Sequence, residues 1–116
     1  MLVVDDHDFF LGVLRDVIEA TPGMALIGEA SSGEEAVEAV ETLSPRMVVM
    51  DKRMRGIGGI EAARRIGARH PEIVVVLVSV EAPEDGPLAA SGAAAFLHKR
   101  AVSPQALSEV WQAHGG

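Results

Sequence analysis

The stretch M-V-V-M-D-K-R-M-R-G, residues 47–56, decides how the chain is read. Four apolar residues, Met47 to Met50, end on Asp51, and the cations Lys52, Arg53 and Arg55 follow at once. A short, continuous apolar run bounded by polar residues fits a strand buried on both faces, as in a parallel sheet covered by helices. The question is why such a strand stops at a carboxylate, and what that carboxylate is for.

Outward from this run the hydrophobic period alternates. Leu2-Val3-Val4 is a short apolar run ending in Asp5-Asp6. Phe10, Val13, Leu14, Val17 and Ile18 then recur at helical spacing, with Asp8 as candidate cap. Pro22-Gly23 breaks the chain, and Met24 to Ala30 reads as a second strand. Ser31-Ser32-Gly33-Glu34-Glu35 holds two overlapping capping boxes before a helix through Ala36, Val37, Val40 and Leu43, which Pro45 ends. After the 47–50 strand and a glycine-rich loop comes a helix carrying Ile60, Ala63 and Ile66, closed by Pro71. Ile73 to Val78 is the fourth strand and the run richest in β-branched residues. A weak helical segment over Glu84 to Ser91 is interrupted by Gly86-Pro87. Ala94 to Leu97 is a fifth strand, and Ser103-Pro104 caps a last helix through Leu107, Val110 and Trp111.

The pattern is βα repeated five times, an α/β domain with a parallel sheet covered on both faces and right-handed crossovers. The 116 residues suffice for one domain, taken as residues 1–116. With 48% hydrophobic and 23% charged residues, the chain is not disordered. A net charge of −7 argues against nucleic-acid binding by this domain, because phosphate contacts need clustered Lys and Arg. The absence of cysteine removes disulfides, thiolate metal sites and Cys nucleophiles. No run is long enough to span a membrane and acids arrive at Asp5, so no signal peptide is read and a cytoplasmic protein is expected. Gly115-Gly116 can begin a linker.

In an open parallel sheet, ligands bind beyond the carboxyl ends of the strands, where strand order switches. Those ends carry Asp5-Asp6, Asp51, Ser79 and Lys99. Each alone reads as a turn, cap or solvated residue. Their coincidence on four strand ends points to a site of three carboxylates, a hydroxyl and an ammonium. Three carboxylates together repel one another unless a cation sits among them, and Mg²⁺ is the natural choice for an all-oxygen set.

The chain resembles the receiver domain of two-component response regulators. The resemblance spans essentially its whole length. It rests on V-V-D-D at 3–6, V-V-M-D at 48–51, the strand ending in Ser79, and Phe96-Leu97-His98 before Lys99. The runs G-E-A-S-S-G-E-E-A at 28–36 and G-I-E-A-A-R-R-I at 59–66 resemble the branch that usually precedes a helix-turn-helix output domain. The resemblance implies a flavodoxin-like, doubly wound (βα)5 fold with strand order 2-1-3-4-5. It implies Asp51 as phosphoacceptor, Mg²⁺ or Mn²⁺ held by Asp6, Asp51 and the backbone carbonyl of Arg53 with Asp5 acting largely through water, Lys99 pairing with Asp51 and then with the phosphate, Ser79 donating to a phosphoryl oxygen, and Phe96 as the switch aromatic. The implied function is a phosphorylation-activated signalling switch, not an enzyme acting on other substrates. The implied partners are a sensor histidine kinase, a helix-turn-helix output domain or separate effector, and a second copy in a homodimer. Lys52, Arg55 and Arg100 stand where the family usually has an aliphatic residue, a proline, and a proline or aspartate.

Two other readings compete. One is a receiver-like interaction module that is not phosphorylated. The other is a small flavodoxin-like cofactor or phosphate binder, which lacks a glycine-rich loop after the first strand and would meet the anions Asp5, Asp6 and Asp8 there. Pro83, Gly86 and Pro87 disfavour a helix, so residues 82–91 are predicted to be the most mobile part of the domain, ordered by phosphorylation. The histidines at 7, 70, 98 and 114 lie on unrelated elements, so a metal site of histidines is not expected; His7 follows the acid pair and could donate at the rim, but it reads rather as a solvated loop residue. Met47, Met50 and Met54 read as core and core edge. Trp111 reads equally as core anchor or interface residue, and Lys52, Arg53 and Arg55 as a solvated loop rather than a docking patch.

Overall fold

In the computed structural model, which describes residues 1–81 and 91–115, the sheet runs through the middle of the chain's two apolar clusters. The strands are β1 (Leu2–Val4), β2 (Gly28–Ala30), β3 (Met47–Asp51), β4 (Val74–Ser79) and β5 (Ala95–His98). The helices are α1 (Asp8–Glu19), α2 (Gly33–Leu43), α3 (Gly58–Arg69) and α4 (Pro104–His114), with a 3-10 turn over Lys99–Ala101. The expectations placed on residues 82–91 lie outside the described residues, Ser91 excepted.

All four strand pairings are parallel and the order is β2-β1-β3-β4-β5. The chain leaves β1 for one edge, forms β2, then crosses back to β3. The crevice between β1 and β3 is therefore the switch point. Side chains alternate across the sheet with the two-residue strand period. Leu2, Val4, Val48, Met50, Val75 and Leu77 face α2 and α3, where Ala36, Val40, Ala62, Ala63 and Ile66 meet them. Val3, Met47, Val49, Val74, Val76 and Val78 face α1 and α4, meeting Phe10, Leu14, Ile18, Leu107 and Val110. This two-sided burial is why the strands read as unbroken apolar runs.

The helix signals hold with adjustments. Ser32 caps α2 by accepting from the Glu35 N–H, while Glu35 reaches back to the Ser31 N–H and hydroxyl. Glu34 instead turns outward and accepts from the Ile57 N–H at 3.2 Å, tying α2 to the loop before α3. Ser103 caps α4 through the Ala106 N–H, with Pro104 in its first turn. Asp8 is not a cap: His7 holds the cap position of α1 without a side-chain cap bond, and Asp8 lies in the first turn, where its charge favours the helix dipole. Met47 and Met50 are buried and Met54 packs at the core edge. Trp111 is half-buried against the α1–α4 cluster.

Two readings change. The second strand is three residues long rather than seven, because its neighbour β1 spans only Leu2–Val4. Upstream, the Ile27 N–H donates to the Met1 carbonyl and the Met1 ammonium to the Ala25 carbonyl, outside any regular ladder. Lys52 is buried rather than solvated. Its N–H donates to the Val78 carbonyl at 2.8 Å, prolonging the β3–β4 pairing, and its stem lies by Leu77, Val78, Phe96 and Leu97.

Candidate functional site

Asp5 follows β1 directly, and its N–H donates to the Ala30 carbonyl, so the β1–β2 pairing fixes its backbone. Its side chain is fully buried. Asp51 is the last residue of β3, and a Cβ at Gly59 would overlap its carbonyl oxygen. Only glycine lets the start of α3 come this close to the strand end, and the Gly59 N–H donates to the Lys52 carbonyl at 2.9 Å. Lys99 opens the 3-10 turn after β5. That turn is pinned by His98, whose Nδ1 accepts from the Arg100 N–H at 3.0 Å and whose Nε2 lies 2.8 Å from the Val80 carbonyl. These partners assign the proton to Nε2.

The chemistry-bearing groups converge at the switch point. Lys99 Nζ donates to Asp5 Oδ2 at 2.9 Å and reaches Asp51 Oδ2 at 3.5 Å, and it sits 4.4 Å from the centre of the Phe10 ring. The ammonium is thus nearer to Asp5 than to Asp51. Asp51 Oδ1 accepts weakly from the Arg53 N–H at 3.3 Å, while the Arg53 guanidinium turns away to Glu81, with Nε 2.7 Å from Oε1. Burial raises the Asp51 pKa, and the Asp5 charge adds to the rise; Lys99 and the Arg53 N–H oppose it. Ser79 ends β4, and its oxygen accepts from the Glu81 N–H at 3.0 Å, leaving its proton free to be donated elsewhere. Phe96, on β5, is half-buried on the α2–α3 side of the sheet, and it lines a small gap with Lys52, Ser79 and Glu81. A cavity of about 620 Å³ opens above Asp51, lined also by Phe10, Arg53, Ser79 and Lys99.

Asp5, Asp6, His7 and Asp51 each present one ligand atom, all within 4.8 Å of one another. One oxygen of this group, Asp6 Oδ1, is buried and accepts no hydrogen bond among the described residues. A buried, orphaned carboxylate oxygen is costly unless a cation meets it. The three carboxylates of the set therefore fit a hard divalent cation such as Mg²⁺. His7 belongs to this group, so its rim reading holds over the solvated-loop reading. Its side chain is 66% exposed, yet its Nδ1 lies 3.0 Å from Asp5 Oδ1 and 2.9 Å from Asp6 Oδ1.

The family of the response regulator receiver domain matches residues 1–111. The response regulator GacA of Pseudomonas protegens is 42% identical over 103 residues, covering 87% of this chain and 48% of that protein. The chain thus spans about half the length of the curated relatives it matches. Among solved structures, the response regulator domain of Thermotoga maritima CheB superimposes with a TM-score of 0.86 at 34% identity, covering 99% of this chain and 95% of that one. A chain of the CheX–CheY complex from Borrelia burgdorferi, solved with BeF₃ and Mg²⁺, gives 0.84 at 26% identity, covering 97% and 86%.

Proposed function

The chain belongs to the response regulator receiver domains, signalling domains rather than classical enzymes, and from that premise we propose that it is switched by phosphorylation of Asp51. The observation that carries this reading is the Lys99 ammonium set between Asp5 and Asp51, beside an open cavity. In the reaction, an Asp51 carboxylate oxygen attacks phosphorus. A new P–O bond forms as the P–N bond of a phosphohistidine breaks, and the departing imidazole takes a proton from water. Asp51 acts as an in-line nucleophile, and the positive charge of Lys99 offsets negative charge gathering on the phosphoryl oxygens. The free Ser79 proton is available to one of those oxygens, and Phe96 moves inward behind Ser79.

Asp6 and Asp51, with the Arg53 carbonyl and Asp5 through water, would hold Mg²⁺, or Mn²⁺ in its place. When bound, the ion neutralises the carboxylates and the phosphoryl oxygens. The orphaned Asp6 Oδ1 supports this site, as does the Mg²⁺ in the Borrelia complex. The donor is a sensor histidine kinase. The output is a helix-turn-helix domain on the same protein or a separate effector, acting on transcription, with homodimerisation as one response. The place of action is the cytoplasm, the usual setting of receiver domains; no helix among the described residues is long and apolar enough to cross a membrane.

The test is intact mass after exposure to a small phosphodonor with Mg²⁺. One phosphoryl group is expected on the wild type and none on Asp51→Asn. Phosphate on another residue, or none on the wild type, overturns the assignment.

A further inference from the structure

We propose that His7 is a nitrogen ligand of the divalent-cation site and makes that site select first-row transition ions over Mg²⁺. The proposal rests on the cation site described above and goes beyond it, since carboxylates, a carbonyl and water make an all-oxygen set.

The geometry comes first. The His7 backbone N–H already donates to Asp5 Oδ1 at 2.9 Å, which fixes the residue over the acid pair at the start of α1. From there the ring could point freely into solvent. Instead Nδ1 is aimed inward, donating to Asp5 Oδ1 at 3.0 Å and lying 2.9 Å from Asp6 Oδ1 and 4.0 Å from Asp51 Oδ2; an ion at Nδ1 takes the place of that proton, and Nε2 then carries the ring N–H. The approach to Asp6 Oδ1 lacks hydrogen-bonding geometry, so the imidazole leaves that buried oxygen orphaned. One nitrogen facing three carboxylates, one of them unsatisfied, is the arrangement a shared ion resolves.

The spacing agrees. Ligands across a six-coordinate ion with bonds of about 2.1 Å stand about 4.2 Å apart. The four candidate atoms lie within 4.8 Å of one another, so a small contraction brings His7, Asp6 and Asp51 onto one ion, with Asp5 meeting it through water. The division of Asp5 is compatible: Oδ1 faces His7, while Oδ2 accepts from Lys99. Lys99 therefore keeps a carboxylate partner when the ion is bound. The exposed remainder of the ring leaves Nε2 to water, an ordinary partner for the second nitrogen of a ligating histidine.

The chemistry gives the selectivity. Mg²⁺ prefers oxygen and sheds its waters reluctantly, so an imidazole adds little to its binding. Co²⁺ and the later first-row ions accept imidazole readily and rise in affinity along the Irving–Williams order. A site with one nitrogen among carboxylates therefore separates the two classes more than a site of carboxylates alone.

The experiment titrates the untagged 116-residue chain with Mg²⁺ and with Co²⁺ by calorimetry, for wild type, His7→Ala and Asp6→Ala. His7→Ala is expected to weaken Co²⁺ about tenfold or more, with Mg²⁺ affinity nearly unchanged. Asp6→Ala is expected to weaken both. Pulsed EPR of the Mn²⁺-loaded chain supplies a direct readout, with nitrogen coupling in the wild type that vanishes in His7→Ala. Equal losses for Co²⁺ and Mg²⁺, no loss for either, or no nitrogen coupling overturns the proposal. These readouts use unphosphorylated protein, so failure of Asp51 to take up phosphate is a separate result.

Discussion

Lys99 and Asp5 stand 94 residues apart in the chain and meet at 2.9 Å, closer than Lys99 comes to Asp51 at 3.5 Å. Asp5 is fully buried and the Lys99 side chain nearly so. Removing the ammonium leaves two buried carboxylates facing each other without a counter-charge. Lys99→Ala is expected to destabilise the metal-free domain by about 3 kcal/mol. Urea unfolding checks this. Adding Asp5→Asn should return part of the loss, because the stranded charge is then gone. A loss as large in the double variant as in the single one would place the effect in packing against Phe10 instead.

Most of the fold was legible because both sheet faces are buried. Val74 to Val78 and Val48 to Met50 have no polar face to disguise them, and the caps Ser32 and Ser103 are local signals that the structure uses as written. The site was legible because strand ends are topologically fixed: Asp5, Asp51, Ser79 and Lys99 could be collected before any distance was known. What escaped depended on neighbours remote in sequence. Met24 to Leu26 have strand-like character, but β1 offers only Leu2–Val4 as a ladder. Lys52 looks solvated beside Arg53, yet its N–H continues the pairing to Val78 and draws its stem inside. That Lys99 favours Asp5 over Asp51 follows from how the 3-10 turn after β5 is held, by His98 bonds that no periodicity reveals.

Asp51 gives a pH signature. Burial, with the Asp5 charge second, raises its pKa above the unfolded value of 3.8. Between those two values the folded state binds more protons than the unfolded one, so stability falls as pH rises through the window. The penalty is absent below the unfolded pKa and complete above the folded one. Asp51→Asn removes it. In metal-free buffer the variant is expected to melt higher than wild type at neutral pH, with the difference shrinking as pH falls toward about 4. Melting curves across pH check the sign, and a difference that grows on acidification contradicts it.

Gly59 sets how closely α3 approaches the strand that carries Asp51. A methyl there would overlap the Asp51 carbonyl oxygen and come within 2.9 Å of the Lys52 Cα. Both are backbone atoms in a buried strand end, so they give way poorly. Gly59→Ala is expected to cost about 1–3 kcal/mol by overpacking and to slow phosphoryl uptake by displacing Asp51. Gly67, on the same helix, is the control, because a methyl added there would meet nothing within 4 Å. Gly67→Ala should be neutral or stabilising, through helix propensity. Equal destabilisation at both positions would mean that the close approach to Asp51 is not the cause.

Asp6 separates the cation site from the rest of the rim. Its Oδ1 is buried without a hydrogen bond, whereas both Asp5 oxygens and both Asp51 oxygens have donors. A divalent ion therefore relieves more strain at Asp6 than at its neighbours. Binding to the folded state alone adds stability by mass action, about 1.4 kcal/mol with the ion at tenfold its Kd. For a domain near this size that raises the melting temperature by several degrees. Mg²⁺ is expected to produce such a rise in wild type, and Asp6→Ala to lose most of it while keeping the Lys99–Asp5 pair. The metal-free variant should be no less stable than metal-free wild type, since the oxygen it discards is buried without a hydrogen bond. Melting with and without Mg²⁺ decides it: equal rises in both proteins would show that the ion is held without Asp6.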